Sequence, residues 1–216
     1  MITINLKKRI FTSLSLLLLF LLTFIFNVAL AYCLVVLSVL SVMEFLNLTR
    51  KIKQKKISTI LLNLIFIIYL TALCIMLFSL SNFSQIKVLL YIILIGCIFS
   101  DIGGYIFGNI FKGPKLTKIS PKKTYTGVLG SLIFTSLIMT SLLFYTLKNF
   151  NYMILIIAIT TSLACQMGDL FFSYLKRKAK IKDTGNFLPG HGGILDRLDG
   201  IFLGLPIGFF SLLFFY

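Results

Sequence analysis

Long apolar runs separated by short basic loops set the pattern of this chain. The runs lie near 10–26, 28–47, 58–78, 88–108, 128–147, 152–175 and 198–216. Each is close to the roughly 20 residues that a helix needs to cross the hydrocarbon of a bilayer. The first two are nearly continuous, and Asn27 is the residue at which they divide. Lys7-Lys8-Arg9 ahead of an apolar run resembles a cleaved leader, and Ala29-Leu30-Ala31 offers a small-x-small cleavage pattern. The run continues through Cys33 to Met43, however, which favours a retained helical hairpin. The pattern predicts an all-α, polytopic integral membrane protein with about seven transmembrane helices.

Composition agrees. Of 216 residues, 58% are hydrophobic and 12% charged, against about 45–50% and about 25% in a soluble domain. The apolar content excludes disorder, and four cysteines, all inside the runs and without CxxC spacing, exclude a disulfide scaffold. With 21 Lys and Arg against 6 Asp and Glu, the net charge is +15. Too few polar residues remain to spread that excess over a soluble nucleic-acid-binding surface. Counted loop by loop, three basic residues precede the first run. Residues 50–56 hold five, 112–123 five, and 176–197 six. With seven spans and the N-terminus cytoplasmic, nineteen of the 21 fall on the cytoplasmic side, leaving Lys87 and Lys148 opposite.

The acids are few enough to be informative one by one: Glu44, Asp101, Asp169, Asp183, Asp196 and Asp199. Carboxylates inside a membrane are costly and by default functional. Asp101 lies ~10 Å and Asp169 ~9 Å below the cytoplasmic ends of their helices, at 1.5 Å per residue. On this map every acid sits at or just beneath the basic loops. Asp196 and Asp199, three apart, share one face of the last helix and repel unless a cation lies between them. Asp169 reaches the same point from a neighbouring helix. Such an oxygen-rich set suits Mg²⁺, which takes one or two carboxylates plus phosphates and water. The plainer alternative is that basic neighbours neutralise these acids. That alternative suits Asp196, next to Arg197, better than Asp169, which has no Lys or Arg within six residues.

Two loops carry further signals. Residues 182–193 hold four glycines and the only histidine, His191. Glycines let backbone N–H groups approach an anion, and the following helix N-terminus favours negative charge. With Lys182 and the acid pair this loop reads as a phosphate-and-metal floor, although glycine clusters also make ordinary turns. Ser120-Pro121 before the fifth run has the form of an N-cap followed by a first-turn proline. Lys122 and Lys123 there either snorkel to the interface or grip a triphosphate. Gly200, Gly204 and Gly208 recur every four residues and point to close helix packing.

Taken together the motifs resemble a known family. Ser173, Lys176 and Arg177, then Lys182-Asp183, then Pro189-Gly190-His191-Gly192-Gly193-Ile194-Leu195-Asp196-Arg197-Leu198-Asp199 are similar to the C-terminal signature of bacterial phosphatidate cytidylyltransferases, the CDP-diacylglycerol synthases. Asp101-Ile102-Gly103-Gly104-Tyr105-Ile106-Phe107-Gly108 and the 120–127 segment resemble two upstream family segments. The likeness covers roughly 97–208, and the chain is short on the N-terminal side for that family. Where the family usually has Asn-Lys-Thr-Trp-Glu-Gly, this chain has Lys122-Lys123-Thr124-Tyr125-Thr126-Gly127, so an acidic position is Thr126 here.

The resemblance implies CTP plus phosphatidate giving CDP-diacylglycerol and pyrophosphate, with Mg²⁺ and room for a second cation. It implies a metal centre at Asp169, Asp196 and Asp199, with Lys182 and Asp183 beside these carboxylates as catalytic residues. Substrate contacts fall to Ser120, Lys123, Thr124, Asp101, Lys176, Arg177, His191, Gly192, Gly193 and Arg197. Lys123 and Lys182 are expected on the triphosphate and Arg197 on the lipid phosphate. The expected partners are CTP, phosphatidate and the bilayer, with a homodimer admissible and nucleic acid excluded. The expected location is the bacterial inner membrane, with the site facing the cytoplasm. One membrane domain, 1–216, is expected, with 1–87 as N-terminal helices and 88–216 as catalytic helices and cytoplasmic loops. The alternatives are a CTP-dependent polyprenol or lipid kinase, and a small ion or metabolite transporter.

Overall fold

A computed structural model describes residues 2–52, 55–117, 119–120, 123–149, 151–185 and 192–215, with side chains from Thr12 onward. Seven helices run in order among them. They are α1 (Ile2–Ile25), α2 (Asn27–Lys51), α3 (Lys56–Ser81), α4 (Ser84–Phe111), α5 (Tyr125–Leu147), α6 (Tyr152–Lys178) and α7 (Leu195–Phe215). The chain is a multi-pass membrane protein. Helices are the expected solution, because in hydrocarbon each backbone N–H and C=O must find its partner within the segment. Among the described residues, α2 to α7 are long and apolar enough to span, and the described apolar stretch of α1 is Thr12–Ile25. The helices outrun the apolar runs at most ends. Thus α4 extends three residues past Gly108 and α6 three past Leu175.

The division expected at Asn27 is present. Only Phe26 separates α1 from α2, with extended backbone at φ −108° and ψ 117°. Asn27 then joins a polar knot: Lys87 Nζ donates to its Oδ1 at 2.6 Å, and its amide faces Asn82 Oδ1 at 3.4 Å. Lys87 is 8% exposed, so this lysine is buried in a polar contact.

The backbone separates into two compact units. One holds Met1–Lys87 with Leu175–Arg197, the other Val88–Tyr174 with Leu198–Tyr216. Segment 175–197 groups with the N-terminal helices.

In the first unit, Phe45 of α2 stacks on Phe66 of α3 with centroids 3.9 Å apart. One turn on, Thr49 Oγ1 donates to Asn63 Oδ1 at 2.9 Å. In the second unit, the small-residue stripe of α7 does what its spacing predicts. A Cβ on Gly204 would strike the Cys165 sulfur and lie 2.9 Å from that of Cys97, and one on Gly208 would lie 2.5 Å from Thr161 Oγ1. Gly204 and Gly208 therefore let α7 lie directly against α4 and α6. Buried hydroxyls are paired here, as Ser131 Oγ donates to the Ser100 carbonyl at 2.7 Å. Ser100 Oγ also meets Ser162 Oγ at 3.1 Å.

Candidate active site

In the second unit, the segment after α4 builds one wall of a cavity. Lys112 takes a left-handed φ of 42°, which turns the chain out of the helix. The segment then folds back on itself. Leu116 N donates to the Lys123 carbonyl at 2.8 Å, Tyr125 N to the Pro114 carbonyl at 3.1 Å, and Lys115 bridges Thr124 in antiparallel fashion. This return corrects the expected helix start. The cap of α5 is Thr124, whose Oγ1 accepts from Gly127 N at 3.1 Å. Ser120 lies back in the turn, where its N–H donates to Thr117 Oγ1 at 3.2 Å. The extended backbone demanded by pairing with 115–116 delays the helix beyond the Ser-Pro signature. Pro121 and Lys122 lie outside the described residues.

The return aims Lys123 inward, where its Nζ stands 2.8 Å from Asp169 Oδ2. The absence of a basic neighbour within six residues therefore does not leave Asp169 unneutralised, because its partner comes from another element. Both side chains are partly accessible, at 28% and 20%. They line a cavity of about 250 Å³ together with Asp101, Thr124, Gln166 and Ser100. A Cβ on Gly200 would lie 2.9 Å from Asp169 Oδ1, and one on Gly168 would lie 2.5 Å from the Asp199 carbonyl. Two glycines thus bring the start of α7, with Asp199, against the Asp169 turn of α6. The Asp199 carboxylate accepts from Gly200 N at 3.0 Å. Thr126, at the family's acidic position, instead accepts from Gly113 N at 3.3 Å and meets Thr124 Oγ1 at 3.0 Å.

The first unit gathers a different set. Lys176 Nζ lies 2.7 Å from Asp196 Oδ1, with the two side chains 12% and 11% exposed. Asp196 Oδ2 accepts from Thr184 N at 2.8 Å, Thr184 Oγ1 at 3.1 Å and Gly193 N at 3.3 Å. An ion-pair partner of Asp196 is therefore Lys176, 20 positions away along the chain. Arg177 donates to the Ile181 carbonyl at 3.2 Å, closing the turn after α6, where Lys180 adopts φ 56°. Lys182, Asp183 and Arg197 are exposed, and Gly192 has φ 85°. His191 lies outside the described residues.

Two polar groups were not singled out from sequence as site residues. Gln166 borders the cavity one turn from Asp169. Glu44 accepts from Thr184 Oγ1 at 2.8 Å, Ile194 N at 3.1 Å and Leu195 N at 2.9 Å. The signal for Glu44 was its rarity, one acid among six. The amides at the start of α7, expected to face phosphate, here face this carboxylate.

Among the described residues, no group of three or more His, Cys, Asp or Glu side chains is placed to hold a metal ion. The cavity wall nonetheless carries two carboxylates, Asp101 and Asp169. A hard-oxygen pair of that kind matches a cation that fills its remaining positions with phosphate and water.

A sequence model described as the cytidylyltransferase family matches residues 2–215. The chain is 43% identical over 120 residues to a phosphatidate cytidylyltransferase of Rickettsia bellii, covering 52% of this chain and 51% of that protein. It is 41% identical over 139 residues to one from Rickettsia typhi, covering 61% and 60% respectively. One from Staphylococcus haemolyticus is 43% identical over 110 residues, covering 50% and 42%. The chain thus spans about half the length of the curated relatives it matches.

Proposed function

Since the chain belongs to the cytidylyltransferase family, we propose that it transfers the cytidylyl group of CTP to phosphatidate, giving CDP-diacylglycerol and pyrophosphate. The observation that carries this reading is the Lys123–Asp169 pair on the wall of a cavity that Asp101 also lines. A cation-and-carboxylate pair that is still partly accessible can exchange partners when a polyphosphate arrives. A lysine locked in the protein interior could not.

In the proposed reaction an oxygen of the lipid phosphate attacks the α-phosphorus of CTP. The new P–O bond forms as the bond to the β-phosphate oxygen breaks, and pyrophosphate leaves with that electron pair. The nucleophile is already anionic near neutral pH, so the chain need supply no strong general base. Its residues position the two phosphates and offset charge. Lys123 turns from Asp169 to the triphosphate, and the family likeness assigns Lys182, exposed in the loop after α6, to the same group. Arg197, exposed in the first turn of α7, takes the lipid phosphate. The family likeness assigns Mg²⁺ to Asp169, Asp196 and Asp199, and the cavity wall would offer it Asp169 and Asp101. Its chemistry there is to neutralise phosphate charge. The lipid enters from the inner leaflet and CTP from the cytoplasm, in a bacterial inner membrane with the N-terminus inside.

The test is a CTP-plus-phosphatidate assay on purified protein, with and without Mg²⁺. CDP-diacylglycerol and pyrophosphate in equal amounts, only with Mg²⁺, are expected. Phosphorylated lipid with CDP would instead mark a kinase, and solute flux into proteoliposomes without CTP a transporter.

A further inference from the structure

In the first unit, the Glu44 carboxylate is 2% exposed and lies at the N-terminus of α7, where unpaired backbone N–H groups favour an anion. Both of its oxygens are used: Oε1 accepts from Ile194 N, while Oε2 accepts from Leu195 N and Thr184 Oγ1. The cradle around it is shaped by glycine. A Cβ on Gly193 would lie 2.5 Å from Oε2, and one on Gly185 would strike Oε1. Two of the glycines that read from sequence as a phosphate cradle thus make room for a side chain from 140 or more positions upstream.

Thr184 joins this carboxylate to the site residues. Its hydroxyl has one hydrogen and stands between Glu44 Oε2 at 2.8 Å and Asp196 Oδ2 at 3.1 Å. Its N–H holds the same Asp196 oxygen. Asp196 is in turn gripped by Lys176. The chain of contacts runs from Glu44 through Thr184 to Asp196, and through the first turn of α7 to Arg197 beside it.

We propose that Glu44 is a positioning residue for the cytidylyl transfer: it seats the first turn of α7 and the Thr184 end of the glycine-rich loop, and so sets the aim of Asp196 and Arg197. The inference rests on the function proposed above. Glu44 touches no substrate, and its effect passes through Thr184 and the α7 amides.

Glu44→Gln preserves volume and one carbonyl oxygen, but loses an acceptor and the charge at the helix end. Misplacement of reacting groups by about 1 Å can slow a step by roughly 100-fold. The expected result is a kcat for CTP and phosphatidate lowered roughly tenfold or more, with KM for CTP within about twofold of wild type. Thr184→Val should reproduce the kcat loss and Thr184→Ser should recover most of it. A Glu44→Gln protein with a lowered thermal midpoint but wild-type kcat per folded molecule would overturn the positioning role and leave the proposed function standing. Absence of turnover in the wild-type protein would overturn both.

Discussion

The two lysine–aspartate pairs of this protein have nearly the same length, 2.8 Å for Lys123–Asp169 and 2.7 Å for Lys176–Asp196, yet they are built for different work. Asp196 is held by Lys176 and two backbone amides, with the one Thr184 hydroxyl hydrogen shared between it and Glu44. Its side chain and that of Lys176 are each about one-tenth exposed. Lys123 Nζ donates to a single oxygen of Asp169, across a cavity wall, and both side chains are at least 20% accessible. A pair with many supports holds its carboxylate and the loop around it in one position. Under the proposed function, a pair with one support and open access is the contact that a phosphate takes over. Distance alone does not separate these two roles, whereas the number of supporting donors and the access to each pair do.

Three substitutions sharpen or break that contrast. The largest effect is expected for Asp169→Asn. Under the proposed function it should lower CDP-diacylglycerol formation by roughly a thousandfold, since removing one group that stabilises transition-state charge costs about 10²–10³ and the charge on a proposed metal ligand is lost as well. Membrane insertion and thermal midpoint should stay close to wild type, measured by detergent-solubilised yield and a melting curve. A collapse of stability with little change in turnover would invert the roles assigned to the two pairs.

Next comes Lys123→Gln, for which a roughly 100-fold drop in kcat/KM for CTP is expected, again with little loss of stability. A change of KM for phosphatidate with no change for CTP would reassign this lysine to the lipid phosphate.

The smallest effect on turnover, and the clearest one on stability, belongs to Lys176→Met. Removing one partner of a buried pair typically costs about 3–5 kcal/mol. Asp196 keeps its two amides and a hydroxyl here, so about 2 kcal/mol is expected. The measurement is the shift in thermal midpoint, with turnover of the folded protein changed less than in Lys123→Gln. An unchanged midpoint would mean that the backbone donors alone hold Asp196.

Much of the helical layout was legible from residue order. Each apolar run corresponds to a helix, and the division expected at Asn27 is made by extended backbone at Phe26, just before it. The Gly200–Gly204–Gly208 stripe packs closely, as its spacing implied. Helix ends were less legible, since charged residues such as Arg177 and Lys178 continue a helix after the apolar pattern has stopped. The start of α5 was misplaced for a related reason. Ser120-Pro121 has the local form of a cap, but the pairing of 115–116 with 123–124 holds the chain extended until Thr124.

By itself the sequence determined that this is a multi-pass helical protein and where its apolar helices lie. Those properties follow from local composition, because a bilayer acts on each stretch of about 20 residues in turn. Tertiary structure alone decided which charge meets which. Asp169 takes a lysine 46 positions away and Asp196 one 20 positions away, while Glu44 meets amides 150 and 151 positions away. Electrostatic partners are chosen by where loops return to, in a medium where an unpaired charge is costly. No spacing rule along the chain carries that information.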